Sequence, residues 1–432
     1  MKKKVPVVRV AAVDVAAQLP QTAEIALAGI AETMREGLLA FTTAAGLAVF
    51  RALLDDELTS MIGPKHAKQP DRVGNWHGTA PGQVVLGGRK VTVARPRGRY
   101  VDGSGEIGSP TWTAFASDDL LARVIVERML AGVATRRHVD VAEPVGDTIK
   151  ARSTSKSAVS RRFITATKTA MAELLSRDLS ALDVAVLMID GVHFADECLV
   201  VAMVITTDGT KIPVGLAHGD TENSAVVKTV LTDLVARGLN TDNGLLVVLD
   251  GSKALRKAVN SVFGAKALVQ RCTLHKRRNV TDHLPKDKRA TMDRRLASAF
   301  ADADPVVGLR KATLLAKELD LAYPDAAASL REGLDEMFTV ARLGASPTLR
   351  RSLTTTNPIE SMISIARTTT AHVKNWRDGA MRKRWAAVGM LEAERSFRRL
   401  KGHRDLASFT KKVRAQINRQ TVTTPEYAHT AA

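Results

Sequence analysis

Three short stretches of the sequence each place a carboxylate where it could bind a metal ion. Asp190 and Asp250 each end a run of apolar, partly β-branched residues and precede a glycine, a pattern typical of a buried strand. Glu360 follows Asn357-Pro358 and falls in the first turn of a predicted helix, where the helix dipole favours an acid. Three hard oxygen ligands suit Mg²⁺ or Mn²⁺, and two such ions about 4 Å apart promote phosphodiester chemistry.

The charge of the chain predicts a polyanionic partner. Its 432 residues include 63 Lys and Arg against 45 Asp and Glu, which gives a formal net charge of +18. Residues 181–250 hold ten acids and three bases, whereas residues 361–420 hold fifteen bases and four acids. An acidic patch flanked by basic segments is expected where metal ions are held beside nucleic acid. For any single basic helix, the alternative to nucleic-acid binding is a charged face that is simply exposed to solvent.

The composition argues against several other classes of protein. Cys198 and Cys272 are the only cysteines, which excludes a disulfide framework and a four-cysteine zinc site. Residues 37–50, an uncharged apolar stretch, are too few to cross a bilayer, which needs roughly 20 residues. Gly103 to Gly108 has the spacing of a dinucleotide-binding loop but lacks the strand before it and the helix after it. We therefore expect no membrane partner and a cytoplasmic, nucleoid-associated location.

The elements predicted around the acids form an α/β arrangement. Strands are predicted at 184–190, 198–206, 211–217, 244–250 and 266–271, and helices at 222–237 and 252–262. Three consecutive strands predict an antiparallel meander, and the later helical crossovers predict parallel pairing. Asp190 and Asp250 then lie on strands that can be neighbours in one sheet. Residues 286–345 have no strand pattern, so we predict a helical insertion between Asp250 and Glu360.

Helices and one hairpin are predicted ahead of the acidic region. Helical spacing covers residues 22–62, and two β-prone runs around Gly87-Gly88 predict the hairpin. Ser155 is a predicted N-cap of a helix that reaches to about Leu179. The first turns of this helix carry several basic residues, as a recognition helix does in a DNA groove, although an ordinary capped surface helix is the alternative.

The order of the three acids resembles that of the Mutator-like DDE transposases of bacterial insertion sequences. The matching segments are the three acids with their neighbours, residues 270–279 with their Cys-x-x-His, and residues 356–361. Shorter similarities occur at residues 94–97, 132–136, 155–161 and 376–379, so the resemblance covers most of residues 85–400. In that family, the equivalents of Cys272 and His275 lie between the second and third acids.

The resemblance implies a fold, an activity and a set of site residues. The fold would be α/β: an RNase H-like mixed sheet with an all-helical insertion before the third acid, preceded by a mainly helical DNA-binding region. The activity would be phosphodiester hydrolysis and strand transfer, with two Mg²⁺ or Mn²⁺ ions, at the ends of an insertion sequence. The catalytic and metal-binding residues would be Asp190, Asp250 and Glu360. The residues expected to contact DNA are Lys156, Arg161, Arg162, His275, Lys276, Arg277 and Arg278, although a core histidine is the alternative for His275.

The expected partners are double-stranded terminal inverted repeats and target DNA, bound by a homodimer or a larger assembly. The predicted organisation is an N-terminal helical region with a hairpin (1–110), a helix-turn-helix-like DNA-binding region (111–180), the first part of the catalytic core (181–283), the helical insertion (284–350), the last part of the core with basic C-terminal helices (351–420) and a disordered tail (421–432). Two alternatives stay open: a catalytically silent DNA-binding regulator derived from a transposase, and another RNase H-like nuclease.

Overall fold

A computed structural model describes residues 38–423, except 68–69, 87–88, 117, 139, 142–150, 153–154, 195–196 and 220–222. The chain divides into two compact units, residues 1–166 and residues 167–432. The predicted domain boundaries stay predictions. The predicted helical segment before residue 38 and the tail after residue 423 lie outside the described residues. Among the helices that the structure describes, none is long and apolar enough to cross a membrane.

The first unit packs a long helix on a hairpin. Its elements are α1 (Leu38–Ile62), β1 (Gly74–Leu86), β2 (Arg89–Tyr100), α2 (Pro110–Ala116), α3 (Asp118–Leu130), β3 (Ala151–Arg152) and the beginning of α4 (Lys156–Ser176). β1 and β2 are antiparallel with Val84 opposite Val91, which confirms the predicted hairpin. Phe50 and Leu54 of α1 share a hydrophobic core with these two valines.

The predicted helix-turn-helix-like region, residues 111–180, includes α3 and α4 but also residues 142–150, which lie outside the described ones, so it stays a prediction. A compact motif of this kind joins its helices by about three or four residues, whereas residues 131–155 separate α3 from α4. Within this segment β3 pairs Ala151 with Val91 of the hairpin. β3 thus belongs to the three-stranded sheet of the first unit. A strand as short as β3 leaves no period-two pattern in the sequence, which is why sequence reasoning missed it.

A mixed five-stranded sheet organises the second unit. Its strands are β4 (Val184–Phe194), β5 (Glu197–Thr206), β6 (Lys211–Gly219), β7 (Leu245–Leu249) and β8 (Ala267–Arg271), in the spatial order β6-β5-β4-β7-β8. β6, β5 and β4 are antiparallel, whereas β7 runs parallel to β4 and β8 parallel to β7. The predicted meander and the predicted parallel pairing are both confirmed.

Helices form the rest of the second unit. In chain order they are α5 (Ser224–Ala236), α6 (Lys253–Phe263), α7 (Thr273–Asp282), α8 (Lys286–Phe300), α9 (Pro305–Leu319), α10 (Pro324–Arg331), α11 (Thr339–Arg342), α12 (Pro347–Leu353), α13 (Asn357–Thr370), α14 (Gly379–Ser396) and α15 (Leu406–Thr423). Residues 286–345, all of them described, contain no strand, which confirms the predicted helical insertion. Its core includes Leu296, Leu315 and Phe338. Leu349 of α12 already packs with the sheet, so the insertion ends before the predicted residue 350.

Helices cover both faces of the sheet because its central strands are apolar on both faces. Successive residues of a strand point to opposite sides. Leu187 and Ile189 of β4 share a core with α5 and α6. Met188 and Val192 of the same strand share another core with α13, α14 and α15. Strands buried on both faces read as continuous apolar runs, which is the pattern that predicted them.

Candidate active site

The register of the parallel strands aligns three reactive residues at one edge of the sheet. Ile189 of β4 pairs with Leu249 of β7, and β8 continues the same register. Asp190, Asp250 and Cys272 each occupy the next position along the chain. The Cys272 N–H extends the ladder by donating to the carbonyl oxygen of Leu249 at 2.8 Å. Because neighbouring strands lie about 4.8 Å apart, the two aspartates are side by side.

The pleat of the sheet turns both aspartates toward α13. Met188 and Val248, two positions before the aspartates, lie in the core that includes the buried side of α13. Alternate residues of a strand share a face, so Asp190 and Asp250 lie on that face too. The first turn of α13 carries Glu360. Asp190 is only 7% exposed, whereas the Glu360 side chain is 42% exposed. The acids therefore lie at the rim of the core rather than deep inside it.

The turn that follows β7 fixes Asp250. The backbone N–H of Ser252 donates to Oδ1 of Asp250 at 2.8 Å, and Ser252 is in turn the N-cap of α6. A Cβ on Gly251 would lie 3.2 Å from Nδ2 of Asn279, which is closer than ordinary contact. The small size of Gly251 thus favours the close approach of the Asn279 side chain to this turn. Asn279 therefore lies beside the turn that follows Asp250. The sequence motif, residues 270–279, did not reveal this contact.

The Thr356 hydroxyl connects Glu360 with the Cys-x-x-His motif. Thr356 is fully buried, and its hydroxyl donates to Oε1 of Glu360 at 2.6 Å. The same hydroxyl oxygen lies 3.3 Å from Nδ1 of His275 and 3.3 Å from Sγ of Cys272. Nδ1 of His275 lies 3.9 Å from the same Glu360 oxygen. The hydroxyl therefore fixes the orientation of the Glu360 carboxylate.

Negative charge surrounds the His275 imidazole. Its hydrogen bond with the Cys272 sulfur, opposed by burial and assisted by the charges of Cys272, Asp190 and Asp250, raises the pKa of His275 to about 9. The imidazole is therefore protonated at neutral pH. Because both aspartates act on this ring, His275 faces the sheet edge where they lie. A satisfied core histidine would make the same contacts with Thr356 and Cys272, so DNA contact by His275 stays a prediction.

One set of three possible metal ligands meets here. Among the described residues, Cys272, His275 and Glu360 place one ligand atom each within 4.8 Å of one another. Such a set, with one sulfur, one nitrogen and one oxygen ligand, is of the kind that binds Zn²⁺. The Cys272 sulfur is fully buried against Thr356. The two aspartates and Glu360 offer hard carboxylate oxygens of the kind that suits Mg²⁺ or Mn²⁺, but among the described residues neither aspartate belongs to such a set of three.

Lys276 does not lie on the surface, which corrects the prediction that it contacts DNA. Its side chain is 1% exposed, and Nζ donates to the carbonyl oxygens of Ser329 at 2.6 Å and Glu332 at 2.7 Å. Burial, partly offset by the charge of Glu332, lowers the pKa of Lys276 to about 8. This side of α7 faces the helical insertion. Lys276 therefore joins α7 to the insertion and is out of reach of a phosphate.

The next two residues of the basic run are more accessible. The Arg277 side chain is 22% exposed and forms a two-pronged ion pair with Asp293, with Nε 2.8 Å from Oδ1. This ion pair neutralises much of the charge of Arg277. Arg278 is exposed. DNA contact stays a prediction for both residues, and Arg278 is the better placed.

The basic residues of α4 are presented much as the sequence predicts. Oγ of Ser155 accepts from the N–H of Ala158 at 3.3 Å, as expected of an N-cap. Lys156 and Arg161 are exposed, and Arg162 is half-buried. The helix ends at Ser176, three residues before the predicted end. DNA contact by these side chains stays a prediction.

Gln270 and Arg271 belong to the matching motif, but the sequence did not reveal their roles. Gln270 is fully buried, and its Oε1 accepts from the N–H of Val340 at 3.0 Å. Nε of Arg271 donates to Glu336 at 2.7 Å, and Nη1 donates to the carbonyl oxygen of Gly251 at 3.4 Å. They attach the end of the insertion to β8 and to the turn after Asp250. The sequence does contain a signal for these roles, because Gln270 and Arg271 are polar residues at the end of an apolar strand. Buried polar groups need hydrogen-bond partners, so such residues are expected to bind another part of the chain.

Fold and site together define a mixed α/β protein with two aspartates at neighbouring positions of two parallel strands, on the sheet face that packs against α13. The chain belongs to the Mutator family of transposases, whose family model matches residues 21–393. It is similar to the transposase for insertion sequence element IS6120 of Mycolicibacterium smegmatis, with 32% identity over 46% of this chain and 62% of that protein. It is also similar to the transposase for insertion sequence element ISRM5 of Rhizobium meliloti, with 25% identity over 73% of this chain and 78% of that protein.

A further relative is the transposase for insertion sequence element IST2 of Acidithiobacillus ferrooxidans. Its identity is 29%, over 41% of this chain and 59% of that protein. The matched part of the chain thus spans about three fifths of the length of the IS6120 and IST2 transposases.

Proposed function

We propose that this chain is a DNA transposase that cuts and joins DNA strands at the ends of an insertion sequence. The observation that carries the proposal is the strand register, which sets Asp190 beside Asp250 on the face where α13 brings Glu360. The mixed sheet with a helical insertion before the third acid supports an RNase H-like core. The relatives, by their names, are transposases of insertion sequences.

In this proposal the three acids hold two divalent ions, Mg²⁺ or Mn²⁺. When bound, such ions stabilise the attacking and leaving oxygens of a phosphodiester displacement. The carboxylates of Asp190, Asp250 and Glu360 would hold these ions. Thr356 holds the Glu360 carboxylate in place. The protonated His275 lies beside the acids, where it can donate a charge-assisted hydrogen bond to a phosphate oxygen.

The DNA partner follows from the charge of the chain and from the reaction. A net charge of +18 favours double-stranded DNA through its phosphates. Exposed basic residues at the start of α4 are proposed to bind the terminal inverted repeats, and Arg278 to bind phosphates near the acids. The released 3′-hydroxyl then attacks target DNA. Because two ends must be joined, a homodimer or larger assembly acts on the DNA.

The test is a joining assay with labelled oligonucleotides that carry the DNA flanking the gene. We expect cleavage and joining with Mg²⁺ or Mn²⁺ and neither with EDTA. Asp190→Asn, Asp250→Asn and Glu360→Gln keep the shape of each side chain but remove its charge. Each should lower joining by more than about a hundredfold, since changes to residues that merely support metal ligands already cost about 10–100-fold. DNA affinity should change little.

Asp320→Asn is the matched control, because Asp320 forms an exposed ion pair with Arg331 on the helical insertion. It should join DNA at the wild-type rate. Cutting without joining would favour a nuclease, and DNA binding without cutting would favour a regulator. Near wild-type joining by any one acid variant would remove that residue from the proposed site.

A further inference from the structure

An open cleft lies between α8, α12 and the first turn of α7. Its volume is about 570 Å³, within the usual size range of small-molecule sites, roughly 300–1,000 Å³. Ala297, Phe300 and Pro347 form part of an apolar wall, and Thr355, Arg350 and Arg351 form part of a polar wall. An apolar wall opposite basic and hydroxyl groups suits a ligand with a flat apolar part and an anionic part.

The polar wall contains a buried hydroxyl group without a partner. Thr355 is 7% exposed, and among the residues that the structure describes its Oγ1 has no hydrogen-bond partner. Buried polar groups are nearly always hydrogen-bonded, so an unpaired one needs an explanation. A ligand in the cleft could supply the missing partner. The neighbouring Thr354 is different, because its carbonyl oxygen accepts from both the N–H and the hydroxyl of Thr273.

The charge of the cleft is positive. Arg350 donates to the carbonyl oxygens of Asp302 at 2.6 Å and Phe300 at 2.8 Å. Within the described part of the chain, no carboxylate lies within 4.0 Å of its guanidinium nitrogens. Arg351 is exposed. Arg277 also lines the cleft, but Asp293 neutralises it. Two arginines can therefore attract a phosphate.

Residues of the cleft are adjacent in sequence to residues of the acid site. Thr355 directly precedes Thr356, which binds Glu360, and Thr273 directly follows Cys272. Both cleft residues are thus one peptide unit away from the hydrogen-bonded cluster around Thr356.

We propose that this cleft binds one nucleotide, with the base against Phe300 and Pro347 and the phosphate near Arg350 and Arg351. Thr355 donates to or accepts from the base or sugar. The nucleotide is either an unstacked residue of the DNA substrate or a free nucleoside monophosphate. Binding of an unstacked DNA nucleotide rests on the proposed transposase function, whereas binding of a free nucleoside monophosphate does not.

Two probes separate these sources. The first is dAMP with a fluorescent N-methylanthraniloyl group, and the second is a single-stranded oligonucleotide with one 2-aminopurine. Both are titrated into the full chain in EDTA, so that the result does not depend on metal binding or cleavage. Asp190→Asn should bind both probes as the wild type does, even where it abolishes joining. Failure of the transposase proposal would therefore leave this test intact.

Three variants test the cleft itself. Arg351→Ala removes a charge, and Ala297→Trp fills the space. Arg310→Ala removes a charge from an exposed position of α9 that does not line the cleft. Loss of one charge-assisted contact should weaken binding about tenfold in Arg351→Ala, and Arg310→Ala should stay close to wild type. Thermal melts establish that each variant is folded.

The outcomes are distinct. Binding of either probe that is lost in Ala297→Trp and weakened in Arg351→Ala supports the proposal. Binding of the oligonucleotide alone identifies DNA as the source of the nucleotide. Binding of both probes shows that the cleft also accepts a free nucleotide. Equal weakening in Arg351→Ala and Arg310→Ala would mean unspecific attraction and would overturn the proposal. Absence of binding by both probes to the folded wild-type chain would also overturn it.

Discussion

The Thr356 hydroxyl donates a hydrogen bond of 2.6 Å to Oε1 of Glu360, and its oxygen also contacts the Cys272 sulfur and the His275 ring. One fully buried side chain therefore joins the start of α13 to the end of β8 and to the first turn of α7. A carboxylate that ligates metal depends on such a partner for its orientation. Thr356 is a positioning residue for Glu360 in the proposed site.

The first prediction concerns this hydroxyl. Thr356→Val keeps the shape of the side chain but removes the donor, so we expect about tenfold weaker metal binding. Thr356→Ser keeps the hydroxyl and should stay near wild type. Mn²⁺ binding to the DNA-free protein, followed by electron paramagnetic resonance, measures this without any reaction. The metal concentration that gives half-maximal joining should shift in parallel. Equal Mn²⁺ affinity in the two variants would exclude the positioning role.

The second prediction concerns the stability that Lys276 provides. Lys276→Met removes the donor to two carbonyl groups and leaves those acceptors buried, so the free energy of unfolding should fall by about 1–3 kcal/mol. Urea denaturation at pH 7 measures it. The affinity for DNA should not change, because the ammonium group is buried. Lys288→Met, at an exposed lysine of α8, is the control and should leave stability nearly unchanged.

Lys276 also predicts a pH dependence of stability. Burial lowers its pKa in the folded chain from 10.5 to about 8. Between these pH values the unfolded chain holds the proton that the folded chain has lost, so this group makes stability rise with pH. The wild-type chain should therefore gain stability relative to Lys276→Met as the pH is raised from about 8 to about 10. A constant difference between the two proteins over this range would show that the pKa is not lowered.

Lys276 also illustrates the limit of sequence reasoning at this site. The strands were predictable because both of their faces are buried, which gives continuous apolar runs in the sequence. The positions of Asp190 and Asp250 follow from these runs. The run Lys276-Arg277-Arg278 reads as one basic stretch, yet a helix turns successive residues by about 100°. Lys276 therefore faces the insertion while Arg278 faces solvent. Which side the insertion covers depends on contacts between residues far apart in sequence.

Thr356 and β3 mark the same limit at two other positions. Thr356 lies four residues before Glu360, a spacing compatible with contact, but its link to Cys272 requires β8 and α13 to be placed together. β3 pairs with the hairpin across a long segment and is too short for a pattern of its own. The acids, in contrast, follow from local strand and helix patterns and from parallel pairing.

The third prediction concerns DNA binding by the first turns of α4. Arg161→Ala and Lys156→Ala remove exposed charges and should weaken DNA binding. If each side chain contacts one phosphate, the slope of log affinity against log salt should fall by about 1 per variant. Lys168→Ala is the matched control, since Lys168 is exposed on the same helix beyond its first turns. Equal slopes for all three variants would place the DNA elsewhere.

The fourth prediction separates the roles of His275 and Cys272. His275 is partly exposed and faces the acids, whereas Cys272 is fully buried. Cys272→Ala removes one buried sulfur, so it should cost about 1 kcal/mol of stability, and its specific joining rate should fall less than that of His275→Ala. His275→Ala removes a cationic donor beside the reacting phosphate. Loss of such a donor typically lowers a rate by about a hundredfold or more.

Thermal melts and single-turnover joining rates of both variants decide this point. His275→Gln is the control for shape, because it keeps a neutral donor but loses the positive charge. If charge matters, it should join DNA nearly as slowly as His275→Ala. A His275→Ala protein that is strongly destabilised but joins DNA at the normal specific rate would make His275 a structural residue. The acids would then require another cationic neighbour, and the exposed Arg278 is the residue of the same helix to test.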